Sequence, residues 1–173
     1  MVSIYSSLFP GNSSLVKFGS YDESGIKNGT SLNLIRCIDT QSWAMNLFNF
    51  SVGNNTIPSL TAKVLLEPSL PFIYVANSDW PLMYAQIGQL FPDFTCREDL
   101  DYCLKADYCD RTRKDIYFQF KLGPYDKSTL IKIDANKFLL NGSEVGGSAN
   151  SCYVGLFRRP DAYPVWYIGN LML

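Results

Sequence analysis

The 173-residue chain reads as an all-β domain with Greek-key or barrel connections and one principal helix. Three observations carry this reading. Short segments rich in β-branched and aromatic residues recur along the chain, separated by Gly, Asn, Asp and Pro. One stretch, 77–91, holds a 3.6-residue apolar period. Hydrophobic residues make up 47% of the chain and charged residues 18%, enough apolar surface to build a core and too much for wholesale disorder. The length fits a single domain over 1–173.

Taken in order, the strand-like segments before the helix are VSIYSSLF (2–9), SLVKFGS (14–20), TSLNLIRCI (30–38), WAMNLFNFSV (43–52), AKVLL (62–66) and PFIYV (71–75). The helix follows. Trp80, Met83, Tyr84, Ile87, Leu90 and Phe91 fall on one face. Ser78 or Asp79 can cap its first turn, Pro81 is tolerated there because its missing N–H has no intrahelical partner, Gly88 weakens the last turn and Pro92 ends it. The polar segment 92–115 holds three of the five cysteines and is expected to be a long, disulfide-stapled surface excursion. DIYFQFKL (115–122), LIKID (130–134), CYVGLF (152–157) and VWYIGNLML (165–173) are the later strands, with a short helix or turn over 134–140. No period of 20–50 residues repeats.

Charge and composition exclude several classes of function. Fifteen basic and 16 acidic residues leave a net charge of -1, so no basic field attracts nucleic acid. The absence of His removes Ser-His-Asp and Cys-His catalysis, His-ligated metals and His pH switches. Acid–base chemistry would have to rest on carboxylates, Tyr, Lys or Cys.

The five cysteines, at 37, 96, 103, 109 and 152, form no Cys-x-x-Cys pair, which argues against zinc-ribbon and thioredoxin-type sites. Asn12, Asn28, Asn49, Asn54 and Asn141 each open an Asn-x-Ser/Thr sequon and are candidate glycosylation sites. Cysteines and sequons together point to an oxidising compartment: the secretory pathway, a lysosome or vacuole, or the extracellular space. Residues 1–9 lack the basic and apolar regions of a signal peptide. Pro68, Pro71, Asp79 and Pro81 interrupt the most apolar region, so no membrane span is expected. The final WYIGNLML ends inside a strand-like run, and a chain truncated at both ends is the expectation.

An ordered series of blocks resembles the C-terminal lobe of pepsin-like aspartic proteases. SLVKFGSYDES (14–24) looks like that family's FGGxD segment, and Trp43 in SWAMNLFNFSVG follows where the family has a Trp. DIYFQFKLG and LIKIDANKFLL look like its paired strands and short helical turn. CYVGLF and VWYIGNLML resemble its late block, in which Trp166, Gly169 and Leu173 fit and Asn170 stands where an Asp is usual. The resemblance implies an acid-protease lobe and an aspartic-type endopeptidase homologue. It implies no metal and no cofactor.

The family's chemistry needs two carboxylates, one from each lobe, sharing a proton and activating a water. Each sits in Asp-Thr/Ser-Gly-Thr/Ser. In AKVLLEPSLPFIYV, alignment on Ser69 and Leu70 as the tail of the motif places Leu65 at the catalytic Asp position, in the turn after the approach strand. Leu66, Glu67 and Pro68 take the remaining motif positions. Leucine neither ionises nor orients water, and Glu67 reads as a loop carboxylate. The resemblance therefore implies no catalytic residue in this chain, Ser69 and Leu70 as substrate-binding positions, and a peptide or protein held in a cleft if an N-terminal lobe is supplied. It also implies that Cys152 is the family's late cysteine, with Cys109 nearest by position and Cys103 next as partner. Cys96 and Cys103 would then close a small loop and leave Cys37 single.

Three other constellations compete. Glu98, Asp99 and Asp101, with Asp107 and Asp110 beyond, make an acidic cluster without the EF-hand register. Arg111, Arg113 and Lys114 balance it locally, and it reads as a solvated loop. The aromatic residues, 14% of the chain, alternate as core residues do. An aromatic row exposed on one sheet face would instead favour a secreted β-sandwich module that binds carbohydrate, whereas burial of Trp43, Tyr74 or Trp166 would count against it. Ser69 has no His or Lys partner and is not a nucleophile candidate.

Overall fold

The computed structural model describes residues 2–5, 15–19, 28, 35–58, 61–112, 115–160 and 163–169. Its strands are β1 (Val2–Tyr5), β2 (Leu15–Phe18), β3 (Ala44–Val52), β4 (Asn55–Pro58), β5 (Lys63–Leu66) and β6 (Ile73–Val75). The helix α1 (Trp80–Leu90) comes next. It is followed by β7 (Thr95–Cys96), β8 (Cys103–Lys105), β9 (Tyr117–Leu122), β10 (Thr129–Asp134), β11 (Leu139–Asn141), β12 (Cys152–Val154), β13 (Leu156–Arg158) and β14 (Trp166–Ile168). Among the described residues the fold is mostly β with one α-helix.

The main sheet runs β10-β9-β3-β5-β14-β6-β13, with β4 beside β3. A smaller sheet runs β11-β12-β8-β7, and β1 pairs with β2. The expected barrel does not close: among the described residues, β10 and β13 are the two ends of an open sheet.

Strand β3 organises the larger sheet. Its first residues pair with β5 on one edge and its later ones with β4 on that edge and β9 on the other. The register against β9 shifts between Leu47 and Asn49. An extra residue in one strand inverts the side-chain alternation beyond it. Met45 and Leu47 before the shift, and Phe50 and Val52 after it, are all buried as a result. Phe50 is the centre of an aromatic cluster, 4.9 Å from Phe120, 5.4 Å from Trp166 and 5.8 Å from Phe118 between ring centroids.

Helix α1 buries Trp80, Met83 and Ile87, the stripe read from the sequence. Full burial of such side chains contributes roughly 1.5–3 kcal/mol each. The regular helix begins at Trp80 and not at residue 77: the preceding turn is closed by the Asp79 and Trp80 N–H groups on the Ala76 carbonyl, and Pro81, which has no N–H, cannot continue the ladder onto Asn77. Asp79 occupies the N-cap position but makes no side-chain cap hydrogen bond. Its carboxylate is used elsewhere. At the other end the Phe91 N–H still bonds Ile87 at 2.8 Å, and the chain leaves at Pro92. No described helix is long and apolar enough to cross a membrane.

One further expectation is corrected, and three segments gain detail. The described part of TSLNLIRCI, 35–38, is not a strand. The Ile38 N–H bonds the Ala44 carbonyl at 2.8 Å and closes a turn around Asp39. Segment 134–140 holds the short helical turn expected there, a 3-10 turn over Ala135–Phe138, and ends in β11. The polar excursion contains β7 and β8, which pair with each other and extend the smaller sheet through β12. Finally, β4 forms a strand of its own, joined to β3 by the turn Gly53-Asn54. Gly53 has φ +60°, which its lack of a Cβ allows and which the first central position of a tight hairpin turn demands.

Candidate functional site

The connection between β5 and β6 is the place where the resemblance puts catalytic chemistry. Strand β14 lies between the two strands it joins, parallel to β5 and antiparallel to β6. The loop 67–72 therefore passes over the end of β14. The Glu67 N–H bonds the Ile168 carbonyl at 2.9 Å, and the Gly169 N–H bonds the Phe72 carbonyl at 3.0 Å. A Cβ at Gly169 would collide with the carbonyl oxygens of Leu70 and Phe72. Glycine is required there by the close approach of two backbones.

Leu65 is not in the turn. It is the third residue of β5, half-buried, and lies opposite Ala44 of β3 and Tyr167 of β14. The turn opens at Glu67 and is closed by the Leu70 N–H on the Glu67 carbonyl at 3.0 Å. The Glu67 carboxylate accepts from the Ser69 hydroxyl at 2.6 Å and from the Ser69 N–H at 3.4 Å. Ser69 is exposed and Leu70 half-buried. Glu67 and Ser69 thus hold each other in a local turn.

The sheet face away from the core carries a row that sequence reasoning did not assemble. Register places Leu65, Tyr167, Tyr74 and Phe157 side by side across β5, β14, β6 and β13. All four are half-buried. Phe72 stacks on Phe157 at 4.8 Å, and the Arg159 guanidinium lies 3.9 Å from the Tyr167 ring centroid. Burial raises the pKa of the Tyr74 phenol above its ordinary value. The alternation of each segment was visible in the sequence. The row depends on β14 inserting between β5 and β6, which no local pattern signals.

The tryptophans divide between the alternatives. Trp166 is 1% exposed and packs in the core, against a carbohydrate platform built on it, while Trp43 is 44% exposed. The acidic cluster is neutralised by different partners from those expected. Arg97 pairs with Asp99, Arg158 with Asp101 at 2.6 Å, and Lys105 with Asp107 at 4.0 Å as well as with Asp93 outside the cluster at 3.1 Å. Arg111 turns away to the Leu139 carbonyl and Glu144; Arg113 and Lys114 lie outside the described residues.

Two disulfides form, Cys96–Cys103 and Cys109–Cys152, and Cys37 is free and exposed. The family-like placement of Cys152 thus found its partner in Cys109. Among the sequons, Asn28, Asn49 and Asn54 are exposed and Asn141 is half-buried; Asn12, and also Asn170 and Leu173 of the late block, lie outside the described residues.

In sequence the chain matches no protein-family profile and no curated protein. In structure it is similar to the basic 7S globulin of soybean, with a TM-score of 0.57 and 7% identity over 76% of this chain and 34% of the globulin. It is also similar to conglutin gamma, a basic 7S globulin of lupine seeds, with a TM-score of 0.58 and 9% identity over 79% of this chain and 34% of that one. At such identities the likeness is one of fold. The chain spans about a third of the length of either solved structure.

Proposed function

We propose that this chain is a lobe of pepsin-like aspartic-protease type that does not cleave peptides. The observation that carries the reading is the β5–β6 connection. It crosses over β14 against the close-packed Gly169, at the place the ordered sequence blocks assign to the catalytic motif, and offers no Asp. Leu65, at the aligned position, presents only apolar surface in mid-strand, and the Glu67 carboxylate is occupied by its own turn. A general base that activates water must reach it by a hydrogen bond; Leu65 has no polar side-chain atom to do so, and Glu67 directs one carboxylate oxygen to Ser69 within its own turn. The 34% coverage of the two globulins supports a lobe of a larger assembly, with a peptide or protein as the partner held once a first lobe is supplied. The two disulfides support an oxidising, secretory compartment.

The test is an acid-pH assay against a broad peptide library, on the chain alone and with a supplied first lobe. No cleavage is expected in either case. Pepstatin-sensitive cleavage by the unmodified chain would overturn the reading.

A second reading takes the half-buried row of Tyr167, Tyr74 and Phe157 as a platform for sugars, which would have to displace Arg159 from the Tyr167 ring and Phe72 from Phe157. Retardation in affinity gels containing neutral polysaccharides, lost in Tyr74→Ala, would support it. Unchanged mobility across a panel of polysaccharides would leave the lobe reading alone.

A further inference from the structure

Three sequons lie fully within the described residues, and the fold treats them differently. Asn49 and Asn54 belong to the β3–β4 hairpin, which presents one polar face to solvent. Asn49 is exposed in β3 opposite Pro58, and Asn54 is exposed in the two-residue turn. The sequon hydroxyls lie on the same hairpin: Ser51, which serves Asn49, and Thr56, which serves Asn54, are cross-strand partners with their oxygens 3.1 Å apart. Neither asparagine side chain is engaged by another described group.

Asn141 is placed otherwise. It ends β11, half-buried opposite Cys152, and its N–H donates to Glu144 at 2.7 Å. The next residue, Gly142, is buried and donates to the Ser151 carbonyl at 2.7 Å, with Ser148 backbone packed where a Cβ would stand. Arg111 closes the site by bonding both the Leu139 carbonyl and Glu144. The Asn141 side chain is itself engaged, accepting from the Glu144 backbone N–H in a capping box, so a sugar on its amide nitrogen stands against this closed turn.

We infer that the folded protein carries N-linked glycans at Asn49 and Asn54, paired on one hairpin face, and none at Asn141. The donor is a lipid-diphosphate-linked oligosaccharide. The amide nitrogen Nδ2 of asparagine forms a bond to C1 of the first sugar, the bond from C1 to the diphosphate oxygen breaks, the lipid diphosphate leaves with the electron pair, and one amide proton is lost. Transfer acts on the nascent chain, so a chain modified at Asn141 must fold around the sugar, and such chains are depleted from the folded population. The two hairpin glycans stand beside the outer edge of β4, which among the described residues pairs only with β3. An unpaired strand edge is a template for strand addition, and bulky polar sugars there obstruct it. The inference does not rest on the protease-lobe reading.

The experiment is expression of the full chain behind a heterologous signal peptide in a glycosylating host. Material that has formed the Cys109–Cys152 disulfide is then isolated, whether exported or retained. Glycans are released by an amidase that converts each occupied Asn to Asp in heavy-oxygen water, and the three sites are read by peptide mapping. Label at Asn49 and Asn54 without label at Asn141 is the expected result. Thr56→Ala should remove the Asn54 glycan alone and Ser51→Ala the Asn49 glycan alone, each giving one step in gel mobility; Asn54→Gln and Asn49→Gln should reproduce those steps with the hydroxyl pair intact. Folded material bare at Asn54 or Asn49, or labelled at Asn141, would overturn the inference.

Discussion

The indole N–H of Trp166 donates to the carboxylate of Asp79 at 2.6 Å, both residues 1% exposed. This bond fastens the N-terminus of α1 to β14, the strand threaded between β5 and β6. It explains why Asp79 stands at the N-cap without capping through its side chain. A hydrogen bond to a buried charged group contributes about 1.5–3 kcal/mol, and a carboxylate deprived of its donor keeps its desolvation cost. Trp166→Phe should therefore lower stability by more than the loss of ring area alone, and Asp79→Asn, which keeps an acceptor, by less than Asp79→Ala. Urea midpoints of the three variants check the order. Equal losses for Asp79→Asn and Asp79→Ala would show that the acceptor is unimportant.

The carbonyls of Leu70 and Phe72 leave no room for a methyl group on Gly169. Gly169→Ala must displace loop 67–72 or the end of β14. An overpacked site of this kind costs about 1–3 kcal/mol. Thermal unfolding should report the loss, and amide shifts should concentrate in residues 67–72. A stable variant with unshifted loop resonances would contradict the packing described.

The helix was legible because its contacts repeat every turn. Trp80, Met83 and Ile87 recur in register with the helix and need no knowledge of what they face. β8 was not legible, since Cys103–Lys105 lies in a polar run and becomes a strand through pairing with β7 and β12. Nor was the loss of the strand over 35–38, where Asp39 accepts from the Gln41 N–H and the Ser42 hydroxyl at 2.8 Å each and the local turn outcompetes a ladder. At the candidate site the motif letters located the β5–β6 connection, but not that Leu65 would remain in β5 and Glu67 open the turn. Those depend on where β14 ends, and β14 is 100 residues further along the chain.

The same Asp39 hydrogen bonds hold its carboxyl below the ordinary carboxylate pKa, the Gln41 N–H first and the Ser42 hydroxyl second. A group with a depressed folded pKa stabilises the fold above its unfolded pKa and loses that contribution as pH falls through the folded value. The turn at 38–44 should thus loosen at acid pH, below about 4. Ser42→Ala should move the Asp39 titration upward in carboxyl-detected NMR. An unmoved titration would remove the hydroxyl from the account.

The two disulfides should differ in weight. Cys109–Cys152 spans 43 residues and Cys96–Cys103 spans 7. In the chain-entropy treatment these loops correspond to about 4 and about 2.4 kcal/mol. Paired replacement by serine should cost more at 109 and 152 on loop length alone, since each bridge has one fully buried cysteine, Cys152 in one and Cys103 in the other. Denaturation midpoints of the two double variants decide it, and the reverse order would point to structure retained in the unfolded chain.

Placing an aspartate at position 65 tests the proposed site most directly. Leu65 is flanked in register by Ala44 and Tyr167, with Tyr74 and Phe157 beyond, so Leu65→Asp introduces a carboxylate into a half-buried apolar row. Partial burial of an unpaired carboxylate disfavours its charged form and costs on the order of 1–3 kcal/mol. The substitution should lower the unfolding midpoint without creating cleavage at acid pH, even beside a supplied first lobe, because the carboxylate would project from mid-strand and not from the turn that opens at Glu67. Leu65→Asp combined with Glu67→Gly relaxes that turn by removing the Glu67–Ser69 hydrogen bond. If the alignment on Ser69 and Leu70 reflects the catalytic geometry, only the double variant with a first lobe should acquire pepstatin-sensitive cleavage. Activity in Leu65→Asp alone would show that β5 unravels far enough to present the residue, and no activity in either variant with a peptide bound would leave the connection a binding element alone.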